Sequence, residues 1–351
     1  MPRIFKLLIG LNLLVLLQPL HADKGKNLFI HREHFHPAQT PPQTPWLTGP
    51  LLTPSSQTVS PGYLNIEPYV YYNVITGFYN DDWKAVSTPK FYNVNLPILI
   101  YFGITEWMDI LFVPQVNYNK TKRTSSLEFG DLDFAVDFQL MHESPDNHLP
   151  GLKFYIEPTF PTGSYQKLKP ERLLTDAGGK GSYQTEVGIV LGRLFHFSDV
   201  YYMNLRLNLF CNYFAPVKVK GINAWGGSRN TSGRVYPGTQ FAYFFGAEFT
   251  LSQNWVFAFD ATGMYTTKTT FSGRPGTSPI TGSPSIISRP SQVQFTFAPA
   301  IEYNFSDAVG IIAGSWFTVA GKSTPRFVSG AIAINYYGHV PYYHPRNPPP
   351  P

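Results

Sequence analysis

Carboxylates recur along this chain at positions that fall on the polar face of alternating segments. Glu67, Asp133, Asp137, Glu157, Glu186, Glu248, Asp260 and Glu302 behave this way, and only Lys153 and Arg206 join them as bases. Two carboxylates flanking a sugar could serve as the acid and base of a glycosidase. Acids dispersed over seven segments point elsewhere. They would hydrogen-bond with Arg206, Lys153, Tyr and Asn across an enclosed polar interior, and their surplus negative charge would favour cations there. A lipid hydrolase would need a His within hydrogen-bond reach of a Ser. Here His142 and His148 share one connection, His196 lies in another, His339 and His344 lie near the end, and no His-x-Ser-Asn-Gly occurs. His31, His34 and His36 have the composition of a metal tract, but they sit in an irregular stretch without carboxylate support. This reading assigns no catalytic residue, no metal and no cofactor.

The elements that position these acids follow from composition. Aromatic residues make 16% of the 351 and charged residues only 14%, well below the roughly 25% of an ordinary soluble domain. Mean hydropathy is nonetheless −0.13, and no internal apolar run approaches the length of a spanning helix. With 29 Gly and 32 Pro, the chain reads as all-β. Arg3 and Lys6 precede the apolar residues 7–17 and the small Ala22, so residues 1–22 read as a secretory signal peptide. Its removal lowers the formal charge from +5 to 25 − 22 = +3. Cys211 is the only cysteine, so an exported chain of this kind finds its stability in a large core or a closed barrel.

Residues 23–61 are rich in Pro, Thr, Ser and His and read as a periplasmic leader. From residue 62 the period is two. Leu132, Phe134, Val136 and Phe138 alternate with Asp133, Asp137 and Gln139, and Val293, Phe295, Phe297 and Ile301 alternate with Gln294, Thr296 and Glu302. About twelve strands are expected, near 62–72, 91–102, 109–118, 130–141, 151–160, 183–194, 200–214, 239–251, 255–266, 292–303, 308–318 and 326–337. Short and long connections alternate, as in a bacterial outer-membrane barrel, with the short turns periplasmic. Hydrocarbon satisfies no backbone N–H or C=O, so the sheet must close, with apolar residues toward lipid and polar ones inward. A secreted β-sandwich would not explain the alternating connections. Residues 338–351 form a Pro-rich tail.

Sorting charge by this topology gives the lumen nine acids, Asp131 among them, against Lys153 and Arg206, a net of −7. Six long outer loops, including Lys167, Lys218, Lys220, Arg229 and Arg234, come out strongly basic, while Asp109 falls in a short turn. The basic rim suits lipopolysaccharide phosphates or anionic solutes. Basic residues on separate loops, with no recognition motif, argue against nucleic acid. Loops of this length are expected to be too short for a separate domain. Pro68, Pro114, Pro158 and Pro299 interrupt strand patterns on the lipid-facing parity, and each should mark a bulge or a break in pairing. Pro114 and Pro158 flank the fourth strand, which makes that wall the candidate for a lateral opening.

Tyr101-Phe102-Gly103-Ile104-Thr105-Glu106-Trp107-Met108-Asp109-Ile110 resembles the "YGLT" hairpin of an outer-membrane transporter family named after the meta-pathway of phenol degradation. Gly130-Asp131-Leu132 is similar to its "GD-apolar" strand start, and Pro161-Thr162-Gly163 to its "PTG" at an outer strand end. The resemblance covers most of residues 62–337 and implies a transmembrane barrel that moves small, hydrophobic or aromatic molecules. The expectation is a monomeric outer-membrane channel with a lumen that is either open or plugged. Its partners would be a small-molecule solute, membrane lipid and lipopolysaccharide. A surface-exposed structural or antigenic barrel is the alternative, with an outer-membrane lipid hydrolase behind it.

Overall fold

Alternating strands in a bilayer must satisfy both edges of every strand. The computed structural model describes residues 45–144, 148–198, 200–277 and 282–340. In chain order its strands are β1 (Tyr63–Tyr79), β2 (Ala85–Thr105), β3 (Met108–Val113), β4 (Gln115–Lys120), β5 (Ser125–Phe129), β6 (Leu132–Met141), β7 (Gly151–Phe160), β8 (Gln184–Ser198) and β9 (Tyr201–Phe214). They continue with β10 (Val217–Lys220), β11 (Ser232–Tyr236), β12 (Gln240–Thr250), β13 (Trp255–Thr266), β14 (Thr270–Arg274), β15 (Gln292–Asn304), β16 (Val309–Lys322) and β17 (Thr324–His339). β3 and β4 are halves of one stave, and so are β5 and β6, which gives an antiparallel barrel of twelve staves closed between β1 and β17. The signal-peptide reading, the three leader histidines and the tail beyond residue 340 lie outside the described residues.

The outer face is apolar, as expected. Val70, Tyr72, Phe112, Phe241, Phe257 and Ile332 are all exposed, and the strand neighbours of each turn inward. The inner face is not uniformly polar. Ala258, Ala298, Ala300, Ile312, Ala331 and Ala333 make an apolar inner wall on β13 to β17, packed against Leu51 of the leader.

Two expectations about the outer connections fail. Three of the six loops are tight turns on long strands: β1 and β2 run to 17 and 21 residues, and the β4–β5 and β16–β17 connections are equally short. Outside hydrocarbon a strand needs no apolar face, so the polar outer ends of β2 stay extended yet carry no alternation for a sequence pattern to catch. The remaining loops are not too short to fold. Two of them build a second sheet, β10–β11–β14, and Tyr165 of the third packs on its apolar cluster of Val217, Val219, Trp225, Val235 and Ile287.

The strand prolines each forfeit pairing on one side, because proline has no N–H to donate. Pro68 pairs with β2 while the β1–β17 register skips from Ile66 to Tyr69. Pro158 pairs with Thr185 of β8, but the β6–β7 register skips from Asp133 to Val136. Pro299 leaves the same kind of gap toward β16. Pro114 separates β3 from β4, its carbonyl still accepting from Ile98 N–H at 3.0 Å.

Candidate functional site

The leader residues 45–61, expected as a periplasmic segment, lie inside the barrel. They run around the inside of the barrel near its short-turn end, and the buried carboxylates hold them. Thr48 N–H and Oγ1–H donate to Glu302 at 3.0 and 2.8 Å, and Gly49 N–H donates to Glu248 at 2.9 Å. Leu52 N–H, Thr53 N–H and Thr53 Oγ1–H all donate to Asp260, at 3.3, 3.0 and 2.6 Å. Farther round, Gln139 accepts from Thr58 N–H at 2.7 Å and donates to the Ser56 carbonyl at 2.9 Å, and Asp109 accepts from Val59 N–H. Read along the leader, these partners lie on β15, β12, β13, β6 and β3, nearly the order of the staves. The segment is therefore an inner hoop.

Physically, an irregular segment leaves backbone N–H groups unpaired, and a buried carboxylate needs donors. Each satisfies the other, and bonds to a charged acceptor are the stronger kind. Space for the hoop comes from glycine. A side chain at Gly310 would strike Thr48, one at Gly246 would strike Pro50 and Thr53, one at Gly151 would strike Gln57, and one at Gly103 would strike the Ser60 carbonyl.

Among the acids expected in the lumen, the structure groups Glu248, Asp260 and Glu302 as the hoop's anchors, all buried. Arg206 pairs with Glu248 at 2.9 Å, and Asp137 pairs with Lys153 at 2.6 Å. Glu67 has no cation at bonding distance. It accepts from Asn65 and Asn335 at 2.7 and 2.9 Å and from the Tyr69 hydroxyl at 3.1 Å. Asp133 and Glu157 line the outer mouth, away from the hoop. Asp109, expected in an exposed turn, is instead a buried lumen group. The strand begins one residue earlier than the pattern suggested, at Met108, and Asp109 is the second residue of β3. Gln139 and Asn304 were missed as hoop contacts, although glycines inside strand patterns signal close backbone approach.

Two spaces flank this arrangement. A cavity of about 430 Å³ lies beside the hoop, lined by Glu67, Asn65, Asn335 and the rings of Tyr69, Tyr71 and Tyr101 on β1, β2 and β17, and by Asp109, Lys153 and Arg206 from β3, β7 and β9. Tyr69 and Tyr71 stack at 5.4 Å, and Tyr71 donates to the Leu51 carbonyl at 3.2 Å. At the outer mouth, a cleft of about 420 Å³ is lined by Gln115, Asp131, Asp133, Glu157 and Lys180. Lys180 keeps part of its side chain exposed, yet desolvation of its ammonium in the cleft pushes it below the usual lysine range, and Arg289 adds to that while Asp131 and Asp133 oppose it.

The three sequence motifs converge beside this mouth and at the hoop's end. Thr162 Oγ1–H donates to the Gly130 carbonyl at 2.8 Å, and Gly163 and Lys180 N–H donate to Asp131 at 3.0 and 2.8 Å. Gly103 takes the crossing leader. Above this clasp β5 has no strand on its outer edge, since the β6–β7 ladder ends at Leu132 opposite Phe160. The segment after Arg172 packs there instead, with Arg172 donating to the Ser125 carbonyl and Asn119 to the Thr175 carbonyl.

A closed ring of twelve such staves matches solved structures. Over 81% of this chain and 98% of the other, it is similar to the COG4313 outer membrane channel from Pseudomonas putida F1, with a TM-score of 0.61 and 10% identity. The fold is that of a bacterial outer-membrane barrel. Weaker likenesses are to the NanC porin (TM-score 0.42, 7% identity, 78% and 99% of the two chains) and to a mutant of the TodX monoaromatic hydrocarbon channel (0.40, 11%, 80% and 91%). No protein-family model and no curated protein matches the chain. At 10% identity the likeness is one of fold.

Proposed function

We propose that this barrel is a channel for small solutes, with its own leader narrowing the periplasmic exit. The observation that carries the reading is the cavity of about 430 Å³ that the hoop leaves free against β1 and β17. A hoop that follows the wall constricts a lumen, whereas a chain segment crossing it would close it. The cavity offers flat tyrosine faces beside Glu67, a carboxylate held only by neutral donors. A planar solute carrying hydrogen-bond donors suits that lining, in keeping with the aromatic compounds implied by the family resemblance. The lumen's surplus of acids favours cations over anions. Lipid of the outer membrane surrounds a single barrel in this reading.

Planar-bilayer recording of the refolded full chain tests it. Discrete conductance with cation-preferring reversal potentials is expected, and the preference should weaken in Glu67→Gln. An absence of conductance from correctly folded barrels would overturn the channel reading and favour the structural or antigenic alternative. A second reading concerns the wall at β5–β7, where pairing is missing at Pro158 and beyond Phe160. Leu127 and Phe129, exposed on that unpaired edge, are the apolar surface an aromatic solute would meet on leaving sideways.

A further inference from the structure

The loop sheet has two unlike faces. Val217, Val219, Val235 and Phe271 point into the apolar cluster, whose Trp225 donates its indole N–H to the Lys180 carbonyl at 2.9 Å. That face is therefore turned toward the mouth, where Lys180 lies. The opposite face presents Lys218, Lys220, Arg234 and Arg274, all exposed, with Ser232 and Ser272 between them. Among the described residues none of the four cations is ion-paired with a carboxylate.

The register organises these groups into two rows. Lys218 lies opposite Arg234, which lies opposite Ser272, and Lys220 lies opposite Ser232, which lies opposite Arg274. Like charges directly opposite each other on a sheet destabilise it. A fold that holds Lys218 against Arg234 with no carboxylate paired to either is suited to an anion shared between them. Arg and Lys together bind phosphate, the first through a planar fork and the second as a point charge.

Position decides the source of that anion. Tyr236 ends β11 on this same face, and Tyr213, Phe241 and Tyr265 are exposed on the outer ends of β9, β12 and β13 directly below. An exposed aromatic girdle of this kind sits at the membrane–water interface. At about 3.3 Å per residue the two rows then stand roughly 7 and 13 Å beyond Tyr236, in the headgroup layer. We infer that this face binds the phosphates of the phosphorylated glycolipid of the outer leaflet, one phosphate per row.

The full chain, stripped of lipid in detergent, is titrated with bisphosphorylated lipid A and with the same glycolipid lacking its phosphates. Binding should require the phosphates. Affinity should fall about tenfold in Lys218→Gln/Arg234→Gln and further when Lys220→Gln and Arg274→Gln are added, consistent with losing charge-assisted contacts. Lys122→Gln, in the β4–β5 turn, should leave binding unaltered. Heat-modifiable gel migration verifies that each variant still forms its barrel. Equal affinity for both glycolipids, or wild-type affinity in the fourfold variant, would overturn the proposal. Competition by inorganic phosphate at matched concentration would assign the face to soluble anions and overturn the lipid source. Because the readout is lipid affinity, the outcome is independent of whether the barrel conducts.

Discussion

Two parts of this chain lie outside the barrel wall, and they solve the same problem in opposite ways. The hoop has no sheet and few apolar anchors, Leu51 and Leu52 among them, and many of its backbone N–H groups are satisfied by carboxylates of the staves. The outer loops make their own ladder and bury their own apolar cluster, sending basic side chains outward. The hoop's order is thus borrowed from the lumen, whereas the cap's order is internal. The two should fail independently.

The largest effect is expected from removing the hoop's charged acceptors while keeping their shape. In Glu302→Gln/Asp260→Asn, five donor contacts lose their charge assistance, and hydrogen bonds to charged groups are worth about 1.5–3 kcal/mol each against about 1 for neutral ones. Hoop release should raise single-channel conductance severalfold and expose residues 48–59 to protease from the short-turn side, with the cap unaffected. Unchanged conductance together with released hoop peptides would mean that the hoop does not set the constriction. Next in size is Trp225→Ala, which truncates the largest side chain of the cap's core and should cost about 3 kcal/mol of local stability. Hydrogen exchange should then rise in β10, β11 and β14 and stay slow at the hoop. Faster exchange at residues 48–59 would break the claim of independence.

The same contrast explains what the residues revealed in advance. Alternation exposed all twelve staves because lipid on one side and a polar lumen on the other enforce a period of two. It missed the outer strand extensions and β10, β11 and β14, where water replaces lipid and either face tolerates polar residues. The lumen acids were legible from parity, including Glu248, Asp260 and Glu302, but their task was not. Nothing in residues 45–61 is periodic, since its donors to the lumen carboxylates reach partners 50 to 254 positions away. The glycines at 103, 151, 246 and 310 were the available clue, each being a strand position where a side chain would strike the hoop.

A smaller effect is expected at the outer mouth. Desolvation holds the Lys180 ammonium below its ordinary range, so it sheds its proton at a lower pH than a free lysine. The sign follows directly: losing a positive charge beside Asp131, Asp133 and Glu157 makes the mouth more negative. Cation preference should therefore strengthen as pH rises toward, but before, the usual lysine range, and Lys180→Met should show the stronger preference until the wild type loses that proton. Reversal potentials that stay flat with pH in the wild type and match those of the variant would remove Lys180 from the pathway, leaving selectivity to Glu67 and the other lumen acids.

The smallest effect concerns the wall itself. β9, β12 and β13 pair without interruption, and β8 pairs with β9 in one register as far as His196, whereas the wall from β3 to β7 is broken at Pro114, at Gly130-Asp131 and at Pro158. Replacing Pro114 and Pro158 by Val restores two N–H donors and lets the β6–β7 gap close, since Val suits a lipid-facing strand position. If small aromatic solutes leave sideways through this wall, their uptake into liposomes should fall about twofold to fivefold, a barrier change of under about 1 kcal/mol. Ion conductance should persist, because the axial route past the hoop is untouched. Equal uptake in the double variant would confine transport to that axial route, and parallel loss of conductance would show that the prolines shape the lumen instead of the wall.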